Sequence, residues 1–278
     1  MHTNKFRKIM LKKLLIFSFS FYALTFGQFH QGSRQIALGN AFTPISDDHW
    51  SMFFNPAGLS YVKSVSAGFF YSPAPFGIKE LSNGSVSIAN TFSSFSGGFS
   101  IYTYGFELYR ENSFALGIAK KFFNELRIGI RTKLNTLVIK NYGNDYYLGF
   151  DLGFLTSLSE NLNLGFAIVN LNRPTYGVNK EKVPQIFMGG FAYKPLQNLL
   201  LALELEKDFK YPFNFKFGSE YNLLNLLMLR FGYNTEPVKY FSGIGINYKN
   251  FSFNYAFHSH NVLGYTHSFG IDLRLSEQ

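Results

Sequence analysis

Apolar and polar residues alternate with a period of two along most of the chain. Phe251, Phe253, Tyr255 and Phe257 interleave with Ser252, Asn254 and Ala256. Phe213, Phe215, Phe217 and Tyr221 interleave with Asn214, Lys216, Gly218 and Glu220, and Leu126, Ile128, Ile130 and Leu134 with Arg127, Gly129, Arg131 and Lys133. Successive side chains of a strand point to opposite faces, so each run is a strand with one apolar and one polar face. No long internal segment holds a helical period. The pattern predicts fourteen strands, at 63–71, 84–92, 95–105, 113–121, 125–139, 146–158, 162–170, 185–194, 199–207, 213–221, 226–234, 239–248, 251–257 and 266–275.

A soluble sandwich shows the same period. Three features point instead to an all-β transmembrane antiparallel barrel. The apolar faces are nearly pure Phe, Leu, Ile and Tyr, whereas the polar faces carry Gly, Ser, Asn and both signs of charge, as when lipid lies outside and a polar lumen inside. Many strands reach ten residues, the length a tilted membrane strand needs. Short connections, such as 122–124, 159–161 and 249–250, alternate with a mostly longer set that includes 106–112, 140–145, 171–184 and 235–238. That alternation places both chain ends in the periplasm, with the longer loops outside.

Residues 28–62 do not alternate. Asp47 and Asp48 can cap a short helix over 49–54, which Asn55-Pro56-Ala57-Gly58 then breaks before the first strand. So apolar a segment is expected in the lumen as a plug, which divides the chain into 1–27, 28–62 and a barrel of 63–278. Residues 1–27 read as a signal peptide: a basic start with five Lys/Arg, an uncharged run from Leu14 to Phe26, then Gly27. Met10 is an alternative start.

Composition narrows the classes further. Aromatics make up 19% of the 278 residues and charged residues only 15%, against ~25% charged in ordinary soluble domains. Disorder is excluded. With no Cys there is no disulfide framework, thiol nucleophile or lipid-modified cysteine. The formal charge of +9 overstates the mature chain: removing the five basic residues of the signal from 26 leaves 21 against 17 acids. No basic stripe with interleaved aromatics suggests a nucleic-acid partner, and no motif calls for a cofactor.

The chain ends resemble a known family. Ser33-Arg34-Gln35-Ile36-Ala37-Leu38-Gly39-Asn40-Ala41-Phe42, then Ser46-Asp47-Asp48, then Phe54-Asn55-Pro56-Ala57-Gly58-Leu59, are similar to the start of the PorV/PorQ family. Tyr255-Ala256-Phe257 and Gly264-Tyr265-Thr266-His267-Ser268 resemble its last hairpin. These are outer-membrane barrels related in fold to the FadL fatty-acid transporters. The resemblance implies a fourteen-stranded barrel with an N-terminal plug, whose motif here is Asp47, Asp48, Asn55, Pro56 and Gly58. It also implies outer-membrane lipid as surroundings and a link to type IX secretion, with secretion-system proteins or secreted cargo as partners. A FadL-like channel for hydrophobic small molecules is the alternative. Such a channel needs a path past the plug and usually a lateral opening, for which Gly97-Gly98 and Gly189-Gly190 are candidate kinks.

Candidate chemistry is sparse. His258, His260 and His267 flank the last loop without a carboxylate to complete a metal site. His267-Ser268 and His258-Ser259 pair residues that point to opposite faces, so neither makes a catalytic couple. Asp47-Asp48-His49 could ligate a cation, but capping accounts for the acids. We expect no enzyme. The informative group is the predicted lumen set: Arg127, Arg131, Lys133, Lys216, Arg230 and Arg274 against Asp151, Glu204, Glu206, Glu220 and Asp272. An ion-selective pore favours one sign. Near balance suggests ion pairs that hold a plug. Gly218 lies on the same inner face and is expected to tolerate a charge unless the plug is there.

Overall fold

The computed structural model describes residues 31–275 apart from 124, 178 and 261. The expected signal peptide lies outside the described residues. Fourteen strands close into one antiparallel barrel: β1 (Ser66–Ser72), β2 (Asn83–Thr91), β3 (Ser96–Phe106), β4 (Tyr109–Phe122), β5 (Leu126–Ile139), β6 (Gly143–Ser159), β7 (Leu162–Val169), β10 (Ile186–Leu196), β11 (Leu199–Asp208), β12 (Asn214–Leu223), β13 (Leu227–Thr235), β14 (Val238–Tyr248), β15 (Phe251–His260) and β16 (Gly264–Arg274). Two short strands, β8 (Thr175–Tyr176) and β9 (Glu181–Lys182), form a separate hairpin in the longest loop. The first and last strands pair from Ser66–Arg274 to Tyr71–Phe269, which leaves no open edge.

All fourteen predicted barrel strands are present in their predicted places, and each buries alternate residues. On β12, Asn214, Lys216 and Gly218 are buried while Phe215 is 59% exposed. Facing outward round the ring are Phe69, Ile88, Leu116, Ile130, Phe191, Leu203, Phe231 and Ile271, an apolar girdle that suits hydrocarbon rather than water.

The turns differ from expectation. At the end away from the chain termini, four of seven connections have three residues or fewer, including 107–108, 140–142 and 236–237. The strands run on instead: β4, β5 and β6 have 14, 14 and 17 residues. Polar positions such as Arg110 and Asn112 interrupt the lipid pattern, yet they still pair with Val138 and Thr136. A strand that rises past the apolar girdle loses its outward apolar signature but keeps its ladder, and the sequence pattern mistakes it for a loop. We call this the loop end and the other the terminal end.

Residues 31–62 touch the inner face of the wall all the way round. Helix α1 (Ser33–Ala37) packs against β13 to β16, a 3-10 turn at His49–Met52 against β1 to β4, and a second at Pro56–Tyr61 against β2 to β6. Thr43 reaches β11 and β10 through Glu204 and Met188, and Pro44 and Leu38 lie against β7 and β12 at Gly165 and Gly218. The helix at 33–37 carries no cap side chain, so the pattern did not reveal it. Asp48, not Asp47, caps the first turn, accepting from the Trp50 amide at 2.9 Å. Asn55-Pro56-Ala57-Gly58 starts the second turn rather than leading straight into β1: the Asn55 side chain accepts from the Ala57 amide at 3.2 Å, and Pro56 stands where its missing N–H costs nothing.

Candidate functional site

The inner wall has to accommodate a folded segment, and its residues explain how. Three apolar clusters join segment to wall. Leu38, Phe42, Ile45 and Phe54 meet Ala192, Leu200 and Ala202; Ile36 and Trp50 meet Phe70, Phe241 and Ala256; Met52, Leu59 and Val62 meet Ala89, Ala115 and Ala119. Phe53 packs against all three. The wall side is dominated by alanine, and glycine goes further. A Cβ on Gly218 would stand 2.6 Å from the Leu38 carbonyl oxygen, and one on Gly232 2.6 Å from the Leu38 carbonyl carbon. Backbone meets backbone there. The exception stated for Gly218 therefore applies: its space is taken by a peptide unit that cannot swing aside.

The charged residues tie segment to wall. Arg34 donates from Nε and Nη2 to Glu220 at 2.9 and 3.0 Å, and Arg230 donates to the same carboxylate at 2.6 Å. Arg34 also pairs with Asp47 at 2.5 Å and Asp48 at 3.2 Å. Asp272 accepts from Trp50 Nε1 and Asn254 Nδ2, both at 2.8 Å, and lies 3.2 Å from His49 Nε2. Glu204 accepts from the Thr43 amide at 2.9 Å and pairs with Lys216 at 2.9 Å, which also reaches Glu206 at 2.5 Å. Asp151 takes Arg131 at 2.6 Å and Lys133 at 3.1 Å, and Arg131 donates as well to the Met52 carbonyl. Buried polar groups need such partners.

The structure therefore sets eight of the eleven predicted lumen charges against opposite charges and holds Asp272 with Trp50, Asn254 and His49, leaving Arg127 and Arg274 to be placed. Arg127 stacks its guanidinium over the Tyr61 ring, 3.9 Å from the centroid, and has no carboxylate partner among the described residues. Arg274, half exposed at the terminal end, stands 3.8 Å from Asp48. Asp47-Asp48-His49 is used up by Arg34, the turn amide, Asp272 and Ser66.

The remaining candidates separate. Ser268 is buried inside and donates to the Ala256 carbonyl, whereas His267 faces out, its Nδ1 2.7 Å from the Tyr255 hydroxyl. His258 and His260 both pack their rings on Phe76, and His260 pairs across to Lys239. The two glycine pairs are not kinks. Gly97 and Gly98 pair in step with Asn90 and Ala89 on one side and Ile118 and Gly117 on the other; Gly189 and Gly190 pair in step with both neighbours too. The wall has no lateral opening at either place.

Sequence reasoning missed two features. Arg34, the hub of the largest ion-pair group, entered only as one letter of a resemblance. Tyr109 and Glu111 share an inner face at the loop end with Tyr102 and Tyr104, but the pattern places 106–112 in a loop. Their alternate spacing was the available signal.

Comparisons place the backbone among known proteins. No protein-family model and no curated protein sequence matches the chain. Solved structures do. A CymD monoaromatic hydrocarbon channel superposes with a TM-score of 0.69 at 9% identity, over 91% of this chain and 99% of that one. The P. putida toluene transporter TodX gives 0.69 at 11%, over 89% and 99%. A Pseudomonas aeruginosa FadL homologue gives 0.60 at 10%, over 88% and 98%. The fold is that of FadL-like outer-membrane barrels, and the first two of these neighbours are described as a channel and a transporter.

Proposed function

We propose that this chain is a plugged outer-membrane barrel that passes hydrophobic small molecules, with residues 31–62 as the plug and both chain ends in the periplasm. The observation that carries this reading is the apolar seam round Phe53. Phe53 joins three clusters that run between plug and wall; the wall side of each is apolar, and that of the third is alanine alone. A modest shift of Phe53 and Met52 would give a greasy molecule a route along the seam without breaking an ion pair. CymD and TodX, described as a hydrocarbon channel and a toluene transporter, share the fold and add support.

The export role implied by the resemblance at the chain ends has less behind it. Most loop-end connections are too short to offer a docking surface for a large partner. Uptake of labelled toluene by whole cells with an intact lipopolysaccharide layer tests the reading. Cells carrying the full chain should accumulate toluene faster than cells carrying an unrelated barrel of similar size. Equal uptake, with secreted proteins co-purifying on the tagged barrel, would turn the balance to export.

A further inference from the structure

The plug occupies the half of the lumen nearer the termini. In the other half, β3 to β6 carry a patch that neither plug nor ion pairs use. Register fixes it. Tyr104, Glu111, Leu137 and Asp145 stand side by side across the four strands, and the next inward row is Tyr102, Ser113, Asn135 and Tyr147. Residues paired this way stand about 5 Å apart at Cβ, and adjacent rows on one face about 7 Å apart.

Three properties of the patch belong together. Glu111 has no basic partner among the described residues; its hydrogen bond comes from the Tyr109 hydroxyl. The rings form a partial cage: Tyr104 and Tyr109 meet edge to face at 6.4 Å, and Tyr176, brought over by the β8–β9 hairpin, lies 6.2 Å from Tyr147. Finally, Asn135 is only 5% exposed, yet neither its amide nitrogen nor its oxygen has a partner. A buried amide left wholly unpaired costs free energy that a bound polar group would recover. The cations further in on the same face of β5, Arg131 and Lys133, are committed to Asp151.

We propose that this patch binds an organic cation: an ammonium group carried on an aromatic or apolar body. The carboxylate of Glu111 supplies the opposite charge, the tyrosine faces supply cation–π contact, and Asn135 hydrogen-bonds a polar group of the ligand. Leu137 and the rings cover the apolar body. Acid oxygens alone would suit an inorganic ion, but rings in place of further oxygens favour a large, weakly hydrated one. The site goes beyond the channel reading and requires no passage through the plug.

Isothermal titration of the full-length barrel in detergent, with benzyltrimethylammonium against neutral benzyl alcohol, tests it. The cation should bind at least about tenfold more tightly, the scale of a partly desolvated cation–π and charge contact. Glu111→Gln should abolish that preference in protein that still shows the heat-modifiable mobility of a folded barrel. Tyr104→Leu, which keeps the acid and removes one ring, should weaken the cation and spare the alcohol. Equal binding of the two probes, or a preference that survives Glu111→Gln, overturns the site. Toluene uptake by cells is read separately: uptake intact without cation binding removes this site and leaves the channel standing.

Discussion

Arg34 and Glu220 are 186 residues apart in sequence and make a two-pronged ion pair inside the barrel, at 2.9 and 3.0 Å. The pair joins a five-residue helix of the inner segment to a wall strand, and Arg230 holds the same carboxylate from the next strand. Two guanidinium groups thus converge on one acid, with Asp47 and Asp48 balancing Arg34 from its other side.

Removing that acid leaves Arg230 with the Asn254 amide in place of a carboxylate and cuts Arg34, which keeps Asp47 and Asp48, from the wall. Glu220→Ala should destabilise plug docking by about 3–5 kcal/mol, the cost of breaking a buried pair from one side. The readout is single-channel recording in planar bilayers, where the variant should show frequent openings that the parent lacks. A parent-like record would mean the ion pair does not hold the plug.

Trp50 is the sole tryptophan of the chain and is buried, its indole N–H on Asp272. Its emission should be blue-shifted and protected from iodide in the folded barrel. Asp272→Ala leaves Trp50, His49 and Asn254 without their acceptor, so the emission should move to the red and quenching should rise. Free quenching in the parent protein would place the segment outside the lumen.

Glycine positions separate occupied wall from empty wall. Gly232→Ala pushes a methyl into the backbone of the inner segment at Leu38 and Gly39 and should cost about 1–3 kcal/mol, as overpacking does. Gly189→Ala faces outward with its nearest neighbour, a Phe166 ring carbon, at 3.4 Å, and should be nearly neutral. Urea titration of the two variants in lipid vesicles compares them directly. Equal loss would contradict the close approach of plug and wall at β13.

The outer face is tested by charge. Phe215 points outward from β12, and Phe215→Arg should cost ~2–4 kcal/mol if it lies near the bilayer midplane. Refolding yield in vesicles, read as the heat-modifiable band on a gel, gives the value. An unperturbed yield would show that this face does not meet lipid.

Removing residues 31–59 should raise conductance, because the wall keeps all fourteen strands while its filling goes. Unchanged conductance in a folded barrel would leave the segment without a plugging role.

The order and faces of the strands were legible because alternation is local. Each residue of β12 meets either lipid or lumen, so Phe215 and Lys216 declare their sides by chemistry alone. The same logic placed Arg131, Asp151, Glu204 and Asp272 inside. Alternation stops being informative where a strand leaves the lipid, which is why 106–112 reads as a loop and hides Tyr109 and Glu111. Nor does a polar inner face say what fills it. Gly218 looks permissive in sequence, yet Leu38 occupies its space; Arg34 looks like any basic residue, yet it links Asp47 and Asp48 to Glu220 and, through it, to Arg230. Those facts depend on which strands close the ring and how the segment crosses it. They are set by contacts between residues far apart in the chain, which only the folded barrel brings together.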